Sequence, residues 1–304
     1  MRWLITGAGG GLGTELVRVL ARRGESALAL TRAQFDVSDP DEVAAVVRRW
    51  GEASAERGVL INAAAFTAVD LAESDPEARR AAHSANALAP GLLASACASV
   101  GARIVHISTN YVFDGARTDG IGYEPNDPTG PLNHYARTKV EGEERVRDAA
   151  PAGHHIVRTG WLYGAVGTNF VRTIADLAAR NPTLEVVDDQ HGQPTWAASL
   201  AEAIVALASS DASTGTLHVT DAGRTTFWGF ARAVLEEIGS DPSRVRPITT
   251  RRIARPARRP AWSVLSDAAW RATRLPPLPP WRESLRTAIR RHPDLVRRNV
   301  PTPE

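Results

Sequence analysis

Thr6-Gly7-Ala8-Gly9-Gly10-Gly11-Leu12-Gly13 is the stretch that decides the fold. It follows a short apolar run, Trp3–Thr6, and opens a helix expected over residues 11–23. Gly7, Gly10 and Gly13 form G-x-x-G-x-x-G. In such a turn the first glycine permits the tight bend, the second lets a pyrophosphate approach the backbone, and the third lets helix and strand pack closely. The helix start adds unpaired N–H groups and a positive dipole end, both suited to phosphate. Glycine-rich turns are common, and position is what gives this one weight: it comes directly after the first strand and before an apolar helix. Gly7, Gly10, Gly11, Leu12 and Gly13 are the expected dinucleotide cradle.

Outward from this loop, apolar runs alternate with helical stretches. Trp3–Thr6, Ala27–Leu30, Val59–Ile61, Arg103–Ser108 and His155–Arg158 read as buried strands. Helices are expected near 11–23, 40–50, 76–100 and 136–149. Ser38-Asp39-Pro40 and Ser74-Asp75-Pro76 supply start signals for two of them. This alternation predicts an α/β fold, a Rossmann-like doubly wound parallel sheet. Residues 1–165 are the expected dinucleotide-binding domain, with 196–220 returning to it as a helix and a strand. The rest, 166–304, is expected to form a smaller, irregular α+β substrate-binding domain, with helices near 168–180, 225–239 and 281–291, a strand near 184–187 and a loop over 188–194. The cleft between the domains is the expected site.

Composition excludes several classes. The 304 residues are 43% apolar and 23% charged, as in an ordinary globular chain. No apolar run reaches the roughly 20 residues of a membrane span, and the N-terminus lacks a secretory pattern. One cysteine, Cys97, excludes Cys-rich zinc sites. The expectation is a soluble cytoplasmic protein. A net charge of +2 does not point to nucleic acid. Residues 244–304 nevertheless hold fifteen arginines against four acids, read either as a solvated basic tail or as a half-site for an anionic small molecule.

Two further positions carry chemistry. The second strand ends in Thr31-Arg32, with no acid before Asp36. An acid there would bond the ribose hydroxyls, whereas Arg32 can pair a 2′-phosphate, so NADPH is favoured over NADH. Asp36 and Val37 are placed to flank the adenine. The small residues Ala63, Ala64 and Ala65 let a loop run beside the cofactor. Tyr135-Ala136-Arg137-Thr138-Lys139 puts a phenol and an ammonium on one helix face, where the ammonium can stabilise the phenolate. Lys139 is the only lysine among 36 basic residues. A lone lysine would follow one of the four tyrosines by four residues in only about 1 of 75 random placements. At the end of the fourth strand, Ser108 or Thr109 can polarise a reacting carbonyl.

These features together resemble an extended short-chain dehydrogenase/reductase, and more narrowly the dTDP-4-dehydrorhamnose reductase family. The likeness runs nearly end to end, through Asn62–Asp70, Ser108–Gly115, Pro131–Lys139, Asp189–Thr195 and Arg259-Pro260-Ala261, with Trp281 beyond. It implies reduction of the C4 ketone of a dTDP-4-keto-6-deoxy-L-sugar, with hydride from NADPH. Tyr135 would donate the proton, Lys139 would lower the tyrosine pKa and hold the ribose, and Thr109 would contact the ketone. Trp161 matches a sugar-lining position, Thr67 lies at the cofactor–substrate border, and Asn110 and Arg259 fall on the substrate side. The family's usual acid after the threonine is Asn110 here, and Trp262 replaces a small polar residue. Family members can use Mg²⁺ at a dimer contact; Glu15 fits one position but no full carboxylate set matches, so no metal ligand is assigned. A homodimer is the assembly that the resemblance allows.

A sugar-nucleotide dehydratase would need an acid–base pair where Asn110 and Tyr111 stand. An epimerase would normally retain NAD, against Arg32, and a non-catalytic NADP-binding regulatory subunit would not need Thr109, Tyr135 and Lys139 together. Arg32 yields a test in steady-state assays. NADPH is expected to have a kcat/KM several-fold above NADH, and Arg32→Asp should invert the order; equal use of both by the native protein would remove Arg32 from the site.

Overall fold

The computed structural model describes residues 1–53 and 56–296. The chain begins with β1 Arg2–Thr6, α1 Gly11–Arg22, β2 Ala27–Leu30, α2 Pro40–Glu52, β3 Gly58–Asn62, α3 Val69–Ser74 and α4 Pro76–His83. A π-helical turn, Ser84–Leu88, joins α4 to α5 Ala89–Ser99. Then come β4 Arg103–Thr109, α6 His134–Ala149, β5 His154–Thr159 and β6 Leu162–Tyr163. They are followed by α7 Phe170–Arg180, β7 Leu184–Val187, β8 His191–Gly192, β9 Thr195–Trp196, α8 Ala197–Ser209 and β10 Gly215–His218. The last elements are β11 Thr225–Thr226, α9 Phe227–Glu237, β12 Val245–Ile248, α10 Ala268–Ala272 and α11 Trp281–Arg291. Arg297, Arg298 and Glu304 of the basic segment lie outside the described residues. No helix among the described residues is long and apolar enough to cross a membrane.

Six parallel strands form one sheet in the order β10-β5-β4-β3-β1-β2, the doubly wound architecture expected from the alternation. Side chains alternate between faces along each strand. Trp3 and Ile5 join Leu16, Leu20, Leu200 and Ile204 in the core under α1 and α8. Leu4 points the other way, to Val43, Val47 and Leu93 under α2 and α5. The chain leaves β1 for β2 on one side and returns to β3 on the other. This reversal opens a crevice at the strand carboxyl ends, where such sheets bind ligands. A separate core of Val171, Ile174, Phe230, Val234, Trp281 and Leu285 holds the later helices.

Three local readings need correction. The helix expected over 76–100 is interrupted by the π-helical turn, because Asn86 turns inward. Its carboxamide accepts from Phe66 N–H at 2.9 Å and donates to Phe66 C=O at 3.0 Å. The stretch 188–194 is not all loop: β8 within it pairs with β11, and β9, directly after it, pairs with β6. Helix α3 was not anticipated at all, since Val69–Ser74 lacks a capping side chain. The two Ser-Asp-Pro triplets behave as expected, with Asp39 and Asp75 capping α2 and α4.

Helix α6 is fixed to the sheet by a buried ion pair. Glu143, 1% exposed, accepts from Arg158 Nε at 2.9 Å and Nη2 at 2.7 Å. Ser108 Oγ and Arg147 Nη2 complete its shell at 2.6 and 2.7 Å. Burial raises the Glu143 carboxyl, but these donors outweigh it and hold the group below the usual range. Removing one partner of such a pair strands a buried charge. Glu143→Leu is therefore expected to cost about 3–5 kcal/mol in denaturant unfolding. Glu143→Leu with Arg158→Leu should recover part of that loss, and an unchanged midpoint in the single variant would contradict this role.

Candidate active site

A cavity of about 720 Å³ opens at the carboxyl ends of β1, β3 and β4. Two glycines shape its floor. Gly7 has φ +70°, and a Cβ there would sit 2.6 Å from Ala64 N. A Cβ on Gly13 would collide with the Gly7 carbonyl oxygen and would lie 2.7 Å from Ala8 Cα. The backbone therefore folds tightly against the Ala63–Ala65 loop. Helix α1 starts at Gly11, after a Gly10 cap that offers no side chain, and has no acid in its first turn. Its first N–H groups thus face the cavity free for an anion. Cradle, dipole and neighbouring amine suit a dinucleotide pyrophosphate and its ribose.

Of the residues singled out from sequence, Gly10, Gly11, Leu12, Gly13, Ala63, Ala64, Ala65 and Thr67 line this cavity. So do Thr109, Asn110, Tyr135, Lys139 and Trp161. Gly7 lies behind the floor. Thr31, Arg32, Asp36 and Val37 do not line it; Arg32 and Asp36 are exposed. Thr31 stands 3.4 Å from a Cβ built on Gly9, next to the glycine loop. Arg259 is also outside the lining. It forms a two-point pair with Asp70, with Nη2 to Oδ2 at 2.6 Å, and this pair holds the Asp70 carboxyl below its usual range. The basic segment is thus no single free patch: Arg252, Arg271, Arg282 and Arg286 pair with Glu185, Asp267, Glu236 and Glu237.

The Tyr135 phenol is half-buried, and loss of solvation pushes it up to about 12. The neighbouring Thr109 hydroxyl opposes that shift. Thr109 Oγ1 accepts from Tyr111 N–H at 3.2 Å and offers its own proton to Asn110 Oδ1 at a long 3.4 Å. That weak bond is easily exchanged for a ketone oxygen. Lys139 is 2% exposed; Nζ donates to Ile107 C=O at 2.6 Å, and burial lowers the ammonium to about 8.

Asn110 explains its own departure from the family pattern. Nδ2 donates to Ser263 C=O at 3.2 Å and Ser263 Oγ at 2.9 Å. A carboxylate could not donate to that carbonyl. Trp262, next in chain, donates Nε1–H to Ile121 C=O at 2.8 Å and carries Arg224 on its face. Trp161 has φ 50°, unusual for a bulky residue. Its ring stacks on Phe227 at 3.7 Å, and the pair forms one wall of the cavity. Phe227 and the turn Val166–Asn169 also line the cavity, and sequence reasoning missed both; their only signal is tertiary. Among the described residues no three His, Cys, Asp or Glu side chains cluster as a metal site, and Glu15 pairs with Arg18 at 2.6 Å.

The RmlD substrate binding domain family matches residues 1–293. The dTDP-4-dehydrorhamnose reductase of Mycobacterium tuberculosis is 45% identical over 291 residues, covering 95% of this chain and 92% of its own. A probable dTDP-4,6-dihydroxy-2-methyloxan-3-one 4-ketoreductase of Streptomyces antibioticus is also 45% identical, over 99% of this chain and 98% of its own. The crystal structure of a Bacillus anthracis dTDP-4-dehydrorhamnose reductase in complex with NADP superposes with TM-score 0.87 at 32% identity, over 95% of this chain and 99% of that one.

Proposed function

We propose a reaction for this cavity from one premise: the chain belongs to the RmlD substrate binding domain family, that of the dTDP-4-dehydrorhamnose reductases. The reaction is NADPH-dependent reduction of the C4 ketone of a dTDP-4-keto-6-deoxy-L-sugar to the alcohol. The observation that carries the reading is the meeting of Thr109, Tyr135 and Lys139 with the glycine cradle in one cavity. Relatives of equal identity bear the names of different 4-keto sugars, so the proposal is made for this substrate class.

When bound, NADPH supplies the hydride. Gly7, Gly10, Gly11, Leu12 and Gly13 would hold its pyrophosphate, with Ala63–Ala65 and Thr67 alongside and Lys139 at the ribose. Thr31, Arg32, Asp36 and Val37 would hold the adenosine end. The chain's own work is then acid catalysis and orientation. At neutral pH the Tyr135 phenol carries its proton, as a donor to the ketone oxygen must. As negative charge develops on that oxygen, the Thr109 hydroxyl turns from Asn110 to stabilise it. Lys139, one helical turn from Tyr135, supplies the positive charge that makes the resulting phenolate affordable. Trp161 would pack the sugar ring, with Asn110 fixing the Thr109 side of the pocket. Arg259 would reach the diphosphate only by giving up Asp70.

Tyr135→Phe keeps the ring and removes the proton. General acid catalysis contributes about 10²–10⁴-fold, so kcat should fall by that factor with NADPH affinity little changed. Thr109→Val should cost less, because the phenol still protonates the oxygen. Single-turnover NADPH oxidation with a dTDP-4-keto sugar, beside NADPH Kd by fluorescence, measures both. Intact turnover in Tyr135→Phe would overturn the assignment.

A further inference from the structure

Below the cavity, Thr6, Asn62 and His106 stand side by side on β1, β3 and β4, in register as Cα partners. One backbone group fixes the direction of every hydrogen bond in this row. Asn62 Oδ1 accepts from Ala64 N–H at 3.2 Å and from the Thr6 hydroxyl at 2.8 Å. The backbone N–H can only donate, so the amide orientation is set, and Nδ2 faces His106 Nδ1 at 3.1 Å. Nδ2 is itself a donor, so His106 Nδ1 must accept. A neutral ring then carries its proton on Nε2. Burial, with the Lys139 charge second, holds His106 well below the usual histidine range and hence neutral.

His106 Nε2 lies 3.3 Å from Lys139 Nζ. An Nε2–H opposite an ammonium sets donor against donor, whereas opposite a neutral amine it makes a hydrogen bond. The other groups facing this amine leave room for that effect. Ile107 C=O accepts from it, and Tyr135, one turn back, is an uncharged phenol. Glu143, one turn on, favours the charge, but its carboxylate is shared among Arg158, Arg147 and Ser108.

We propose that His106, locked by Asn62 in the Nε2–H tautomer, is a positioning residue that holds the Lys139 amine beside Ile107 C=O and, by facing it with a donor, loosens its proton. The direction agrees with the lowering to about 8 that burial already imposes. The consequence for turnover rests on the reaction proposed above. As pH rises through that midpoint the charge beside Tyr135 is lost, and kcat should fall on the alkaline side.

The test uses ligand-free protein, so its failure is separable from failure of the reaction. Lys139 is the only lysine, and ¹³Cε-lysine labelling therefore gives a single side-chain resonance whose titration reads this amine. Ring ¹⁵N shifts of labelled histidine give the tautomer, and His106 is identified by its absence in His106→Leu. The native protein is expected to show protonated Nε2 and bare Nδ1. Asn62→Asp offers acceptors to Ala64, Thr6 and His106 Nδ1–H alike, which turns Nε2 into an acceptor for the ammonium. The Lys139 midpoint should then rise by about one unit or more. In a His106→Leu background the same substitution should move it by less than half as much. Protonated Nδ1 in the native protein, or equal shifts in both backgrounds, would overturn the proposal. The native tautomer decides the matter even where a variant fails to fold.

Discussion

A single amine without bulk solvent is the constraint around which this site is arranged. Lys139 is 2% exposed, and a buried cation is tolerated only where polar groups replace its water. The sheet supplies one acceptor, Ile107 C=O, and sets the Thr6–Asn62–His106 row of three adjacent strands beside the amine. Helix α6 must hold its register over that row for the amine to reach it. The buried Glu143–Arg158 pair and the Asn133 cap, which accepts from Ala136 N–H at 2.8 Å, fix the helix there. The same register brings Tyr135 to the mouth of the cavity one turn earlier.

The two parts of the chain meet around this centre through polar contacts at the cavity edge. Asn110 reaches Ser263, and Asp70 receives Arg259 across 189 positions of sequence. Tyr111 lies beside Arg259 and is set edge-on to Tyr135 at 6.4 Å. The Arg259–Asp70 ion pair and Tyr135 therefore stand on either side of Tyr111, with one ring contact on the Tyr135 side.

What could be read from the sequence follows the range of the interactions. The strands, the glycine turn and the Tyr135/Lys139 pair are local patterns, and each is found where expected. The π-helical turn at Ser84–Leu88 could not be read, because its cause is Asn86 bonding Phe66 twenty positions away. The partners of His106 and Arg259 were equally hidden, since strand order and long-range packing decide both. Trp161 was legible as a residue but not as a conformation; its positive φ depends on the Phe227 stack and on Gly192, where any Cβ would meet the indole. Asn110 looked like a loss of charge and proves to be a donor that its carbonyl partner requires.

The central claim is that this cavity delivers hydride and proton across one ketone. NADPH deuterated at either face of nicotinamide C4, incubated with a dTDP-4-keto-6-deoxy-L-sugar, tests it by NMR of the product sugar. The account predicts deuterium at sugar C4 from one face only, with no exchange of solvent hydrogen into C3 or C5. Unlabelled C4, or exchange at the flanking carbons without net reduction, would contradict it.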